Sequence, residues 1–164
     1  MHNVNIMTHN TIPEKIGEIC QFLCDKGFNL SHTLSDGRLN AAINEGEILS
    51  LIQEKFDIIV PRSRAWYNFA INDGDTFIPV DIKVTDTTHA DNLNCKLGLY
   101  YALTGLKPSF PNEIGWLQFF EQLRNNFGYN KSHDYYFLIV NKSDNSVLCP
   151  EYRITIPVGS YNAF

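Results

Sequence analysis

The chain has 164 residues, 44% of them apolar and 13% aromatic, which is the length of one domain with enough apolar material for a core. Its net charge of -5, from 13 Lys and Arg against 18 Asp and Glu, argues against unspecific adhesion to nucleic acid but leaves room for a local basic cleft. No stretch approaches the ~18 consecutive apolar residues of a membrane span, and Met1-His2-Asn3-Val4-Asn5 has no basic segment leading into an apolar run. A single domain over residues 1–164, cytoplasmic and without a membrane partner, is expected.

From Thr11 the residues Ile12, Ile16, Ile19, Cys20 and Leu23 recur at helical spacing. Thr11 or Asn10 would cap this helix, Pro13 and Glu14 fall in its first turn, and Gly27 stops it. A polar segment around Ser35-Asp36-Gly37 leads to a second helix from about Leu39 to Phe56, with Leu39, Ile43, Ile48, Leu51, Ile52 and Phe56 as its apolar set. Glu47 falls on or beside that face, four residues from both Ile43 and Leu51.

Asp57-Ile58-Ile59-Val60 and the run from Ala65 to Ile71 are short and rich in β-formers, and Asn72-Asp73-Gly74-Asp75 has the chemistry of a hairpin turn. Thr76 to Thr85 is then the returning strand of the hairpin. After a polar segment, Lys96 to Leu103 reads as a helix ending at Gly105, and Pro111-Asn112-Glu113 opens another that runs through Trp116, Phe119, Phe120 and Leu123 to Gly128. The nearly unbroken apolar run Tyr135 to Val140 suits a strand buried on both faces, with edge strands at Val147–Cys149 and Arg153–Ile156. The order implies an α/β (α+β) fold, a central mixed β-sheet flanked by helices.

Cys20, Cys24, Cys95 and Cys149 have neither CxxC spacing nor a histidine cluster beside them, so buried free thiols are expected rather than zinc or a disulfide framework. His89 and His133 are lone histidines. Trp116, Phe119, Phe120, Tyr135 and Tyr136 read as core residues and not as a stacking platform for single strands.

The chemistry concentrates in two neighbouring strands. Asp81 and Lys83 lie two apart and so project to one face, beside the Asn68 amide of the preceding strand. A carboxylate can hold Mg²⁺ through oxygen, and an adjacent ammonium can orient an attacking water and offset charge developing on a phosphate. Charges on a central strand are costly unless paired or metal-bound, which sets this pair apart from an ordinary solvated face.

Tyr67-Asn68-Phe69, the hairpin, Val80-Asp81-Ile82-Lys83-Val84-Thr85 and Leu97-Gly98-Leu99-Tyr100 together resemble the core of the PD-(D/E)xK restriction endonucleases, over roughly residues 38–105. That resemblance implies a restriction-endonuclease-like fold with Asp81 as a Mg²⁺ ligand (Mn²⁺ as substitute), Ile82 as a backbone-carbonyl ligand and Lys83 as the residue that positions water. Asn68 takes the place of the first aspartate. Glu47, with Glu45 as alternative, corresponds to the helical glutamate that completes the catalytic set. Asn68 is the departure: an amide oxygen can ligate Mg²⁺ but brings no charge, so metal should bind more weakly than at two carboxylates. Drift with retained activity, a naturally inactive nuclease-like domain and a deliberate Asp-to-Asn substitution all account for it; Asp57, beyond Pro61, ranks below Asn68 as the acid.

Arg62, Arg64 and Lys96 are candidate phosphate contacts, and Thr87, Thr88, His89, Asn92 and Asn94 form a polar loop suited to reading base edges. The resemblance implies a type II, site-specific deoxyribonuclease acting on double-stranded DNA as a homodimer on palindromic sites, leaving 5′-phosphate and 3′-hydroxyl ends, with a cognate DNA methyltransferase as the companion of such a system. The rival readings are a non-catalytic DNA-binding module on the same fold and, favoured by the acidic balance, an interaction domain with no DNA role.

Overall fold

The computed structural model describes residues 12–31, 37–62, 65–85, 96–127, 135–142, 144 and 146–148. Over these the elements run α1 (Glu14–Lys26), α2 (Gly37–Gln53), β1 (Phe69–Asp73), β2 (Thr76–Thr85), α3 (Lys96–Thr104), α4 (Trp116–Asn126), β3 (Tyr136–Asn141) and β4 (Val147–Leu148). Helices and a mixed sheet are both present, as the residue patterns imply. The sheet order is β1-β2-β3-β4, with β2 antiparallel to β1, parallel to β3, and β3 antiparallel to β4. A parallel pair needs a long crossover, and α3 and α4 lie in the connection between β2 and β3.

Period-two alternation along β2 separates two environments. Ile78, Val80, Ile82 and Val84 are buried and meet Ile16, Ile19, Leu23, Ile48 and Ile52 of α1 and α2 together with Phe69, Leu138 and Val140. The opposite face carries Phe77, Asp81 and Lys83, and α3 meets its Phe77 end, where the Tyr101 hydroxyl donates to the Phe77 carbonyl at 3.2 Å. A second cluster, Tyr100, Phe119 and Leu123, joins α3 to α4.

α1 ends as its sequence indicates: Gly27 takes φ 65° and its N–H donates to the Leu23 carbonyl. Its N-cap is Pro13, which has no side-chain donor or acceptor to offer, while Thr11 and Asn10 lie outside the described residues. Cys20 is half-buried and Cys24 exposed, because residue 24 is rotated past the Ile16–Ile19–Leu23 stripe; the expectation of burial therefore fails for Cys24.

α2 buries Ile48 and Ile52 and packs Leu51, with Phe56 just beyond its end, against the core, as its apolar pattern suggests, but departs from that pattern in its first two turns. Its buried stripe is Asn44, Ile48 and Ile52, spaced by four, whereas Leu39 (56%) and Ile43 (40%) are exposed. Asn44 can be buried because its amide donates to the Ser31 carbonyl at 2.9 Å and to Glu47 Oε2 at 2.9 Å.

The strand expected at residues 57–60 is reduced to one bridge, Ile59 with Ala70, since Pro61 follows and cannot donate to a ladder. β1 starts at Phe69 and not at Ala65. It turns back through Gly74, at φ 60°, with Asp73 opposite Thr76. Pro79 is tolerated in β2 because β3 begins to pair only at Val80.

α4 begins at Trp116 with Gly115 as N-cap, after a turn in which the Ile114 N–H donates to the Pro111 carbonyl. Phe119 and Leu123 are its core residues, but Trp116 (55%), Leu117 (73%) and Phe120 (48%) face outward, so the core role expected of Trp116 and Phe120 is not seen. β3 buries Leu138 and Val140 on one face and leaves Phe137 and Ile139 half-buried on the other, which corrects the expectation of burial on both. Cys95, Cys149, His89, His133 and Arg153–Ile156 lie outside the described residues.

Candidate functional site

The Asp81 and Lys83 side chains leave β2 on the same face, as their spacing requires, and the Lys83 ammonium stands 3.0 Å from Asp81 Oδ2. Both are largely enclosed, with 12% and 21% of their side chains accessible. At that depth an ion pair is less screened than at a surface. On one side both residues pair with β3, Asp81 opposite Phe137 and Lys83 opposite Ile139.

Asn68 joins them through the backbone. Pairing between β1 and β2 reaches Phe69 opposite Val80, and the Asn68 N–H donates to the Val80 carbonyl at 2.9 Å. Beyond that point the ladder stops, and the Ile82 N–H, in the peptide that follows Asp81, is accepted by Asn68 Oδ1 at 2.7 Å. The carboxamide thus stands in for a missing strand acceptor. It ties residues 66–68 to the peptide between the two expected ligands, Asp81 and Ile82.

Residues 66–68 rest on an aromatic cluster. Tyr135, buried just before β3, donates its hydroxyl to the Trp66 carbonyl at 2.7 Å. The Trp66 ring lies near those of Tyr67, Phe77, Tyr101 and Tyr135, with centroids 4.9–6.3 Å apart. Burial pushes the Tyr67 phenol above its ordinary value, which keeps it neutral beside the site.

Glu47 belongs to a separate network. The Ser31 hydroxyl donates to Oε1, the Ser31 N–H to Oε2 at 3.1 Å, and Asn44 Nδ2 to Oε2 at 2.9 Å. These bonds, the Ser31 hydroxyl foremost, hold the carboxyl below the usual glutamate range against the opposing effect of burial, with a smaller contribution from the Lys142 charge. Its expected neighbour on the core side, Ile43, is exposed, and the residue that shares its environment is Asn44. Ser31 and Asn44 carried no signal in the sequence, because a loop serine and a helical asparagine are ordinary until the fold brings them together.

Of the candidate phosphate contacts, Arg62 is exposed. Lys96 is half-buried, and its ammonium donates to the Ile114 carbonyl at 2.8 Å while lying 4.7 Å from the Trp116 ring centroid. It ties the start of α3 to the start of α4. Arg64, Thr87, Thr88, His89, Asn92 and Asn94 lie outside the described residues.

No protein-family model, curated protein or solved structure matches this chain. Its chemistry must therefore be read from the residues themselves. Among the described residues no group of three or more His, Cys, Asp and Glu could hold a metal ion. The donors on offer are the Asp81 carboxylate, the Asn68 amide oxygen, which keeps a second lone pair beyond the one given to Ile82, and the Ile82 carbonyl. All are hard oxygens, the kind Mg²⁺ takes, so they fit in type while supplying one formal charge. No helix among the described residues is long and apolar enough to cross a membrane.

Proposed function

We propose that this chain is a nuclease-like protein of the PD-(D/E)xK type, a Mg²⁺-dependent type II restriction endonuclease acting on duplex DNA whose metal site is weakened by Asn68. The geometry of β2 carries the proposal: a carboxylate and an ammonium 3.0 Å apart, on one face of a strand paired with β3, beside a carboxamide bonded to the intervening peptide. The succession of a glutamate-bearing helix, a hairpin, an Asp-x-Lys strand, a helix and a parallel strand supports it. A restriction-endonuclease-like fold is part of this proposal.

Asp81, Asn68 Oδ1 and the Ile82 carbonyl would hold Mg²⁺. When bound, the ion supplies charge neutralisation at the scissile phosphate and a more acidic water. Lys83 has two roles within reach of Asp81: it orients the attacking water by hydrogen bonding, and it offsets the negative charge that accumulates on the phosphate oxygens. Asn68 holds its partner peptide in place and contributes oxygen without charge. Glu47 acts from its Ser31–Asn44 network as a fixed negative charge. Arg62 is the described candidate for phosphate contact, and two copies would match the two-fold symmetry of a palindromic target.

A second reading is favoured by one observation. Asn68 Oδ1 satisfies the Ile82 N–H, a sufficient reason for that residue without any metal, and a non-catalytic DNA-binding module would need nothing more of it. Digestion of a sequence-rich plasmid with Mg²⁺ or Mn²⁺ separates the two. Discrete fragments from the parent or Asn68→Asp, absent with Lys83→Ala, are the expected result. Folded protein that binds duplex DNA but leaves it uncut in all forms would establish the module.

A further inference from the structure

Residues 66–68 belong to no strand, yet Asn68 must stay against the Asp81–Ile82 peptide for the site to exist. Its own two bonds to β2 reach only Val80 and Ile82. Something outside the hairpin has to fix the segment from the other side, and the Tyr135 hydroxyl, 69 residues away in sequence, does so at the Trp66 carbonyl.

We infer that Tyr135 is the positioning residue of this site: seated in the space left by Gly98 and bonded to the Trp66 carbonyl, it sets where Asn68 meets the peptide between Asp81 and Ile82. Three features support the assignment. A side chain at residue 98 would collide with Tyr135 Cζ, the atom that bears the hydroxyl, so the glycine on α3 determines where that hydroxyl lies. Tyr135 immediately precedes Tyr136, which pairs with Val80, so its backbone is registered to the strand that carries Asp81. The Trp66 ring lies nearly parallel to that of Tyr135, at 28° with centroids 6.1 Å apart, which limits rotation of the segment between them. The line Gly98–Tyr135–Trp66–Asn68 thus connects the crossover helix to the ligands. In linking Tyr135 to metal binding this inference rests on the nuclease reading; in linking it to Asn68 it does not.

The test compares Tyr135→Phe, which keeps the ring and removes one donor, with Tyr101→Phe, which removes a similar hydroxyl bond at the Phe77 end of the same aromatic cluster. Hydrogen exchange of the Ile82 amide, followed by NMR, is the first readout. Tyr135→Phe and Gly98→Ala should each speed exchange at Ile82 at least about fivefold relative to Val84, as expected for loosening one hydrogen bond, while Tyr101→Phe leaves that ratio unchanged. Asn68→Ala marks the upper limit. The second readout is Mn²⁺ affinity in Asn68→Asp protein, which Tyr135→Phe should weaken about tenfold, as loss of an outer support does at metal sites, and Tyr101→Phe should not. An unchanged Ile82:Val84 ratio in Tyr135→Phe, acceleration shared by the whole sheet, or loss of the fold would each overturn the inference in favour of a purely structural tyrosine. Absence of Mn²⁺ binding by Asn68→Asp would count against the nuclease reading alone, and the Ile82 amide would still decide the role of Tyr135.

Discussion

At residue 68 a carboxamide and a carboxylate would make the same bond to the Ile82 N–H but differ by one charge close to Asp81. Asn68→Asp should therefore keep the local structure and, without metal, cost about 0.5–2 kcal/mol through like-charge repulsion. Added Mg²⁺ or Mn²⁺ should return that stability in Asn68→Asp and much less in the parent, a difference read from thermal unfolding with and without metal. Glu47 gives a second residue-scale expectation. Because Ser31 and Asn44 hold its carboxyl below the usual range, the ionised form favours folding. That contribution is present above the unfolded value of about 4.5 and disappears as pH falls through the lower folded value. Ser31→Ala should cost about 0.5–1.5 kcal/mol at pH 7 and progressively less as the pH falls below the usual glutamate range, as a series of denaturant titrations at falling pH would show.

Among the elements, β2 was the most legible. Its alternation of Ile78, Val80, Ile82 and Val84 with Phe77, Asp81 and Lys83 needs only the period of a strand, and Asn72 to Asp75 offered a turn whose geometry a glycine can meet. α2 departs from its apolar pattern only at Leu39 and Ile43, for a physical reason. Its apolar residues surround the helix broadly enough to suggest a stripe through Ile43, and a buried asparagine cannot be foreseen without knowing that Ser31 waits to receive its amide. The corrected face is testable: Ile48→Ala should cost about 2–5 kcal/mol, whereas Ile43→Ala should stay within about 1 kcal/mol. The strand expectation at Trp66 and Tyr67 failed because aromatic β-formers serve equally well in a side-chain cluster, and that cluster here ends the ladder one residue after Asn68. The pairing of Asp81 with Lys83 was visible from spacing; the bond from Asn68 to Ile82, the Tyr135 contact and the Lys96 tie to Ile114 depend on segments far apart in sequence.

For the molecule as a whole, a net charge of -5 means that DNA affinity would have to come from a few local cations. Binding of duplex DNA should weaken steeply with salt, and Lys83→Ala or Arg62→Ala should each lower the slope of log affinity against log salt by about 1 if that residue meets a phosphate. Salt-independent or undetectable binding by folded protein would favour an interaction domain with no DNA role. The same measurement on Lys96→Ala should show no change in slope, since that ammonium is committed to Ile114.

The parallel pairing of β2 with β3 has a kinetic consequence. Asp81 and Lys83 sit in one hairpin and Asn68 directly precedes it, so its short loop brings them together in about microseconds, but Val80 meets Tyr136 only after the chain has passed through α3 and α4. Long-range pairing of this kind is the slow part of folding, because the entropy of a large loop must be lost before any contact compensates it. These groups are thus gathered early on a loose ribbon and fixed against one another late, when the second half of the chain arrives; during synthesis, a ribosome-bound chain that has exposed only its first hundred residues would carry all the proposed donors without the strand that holds them in place.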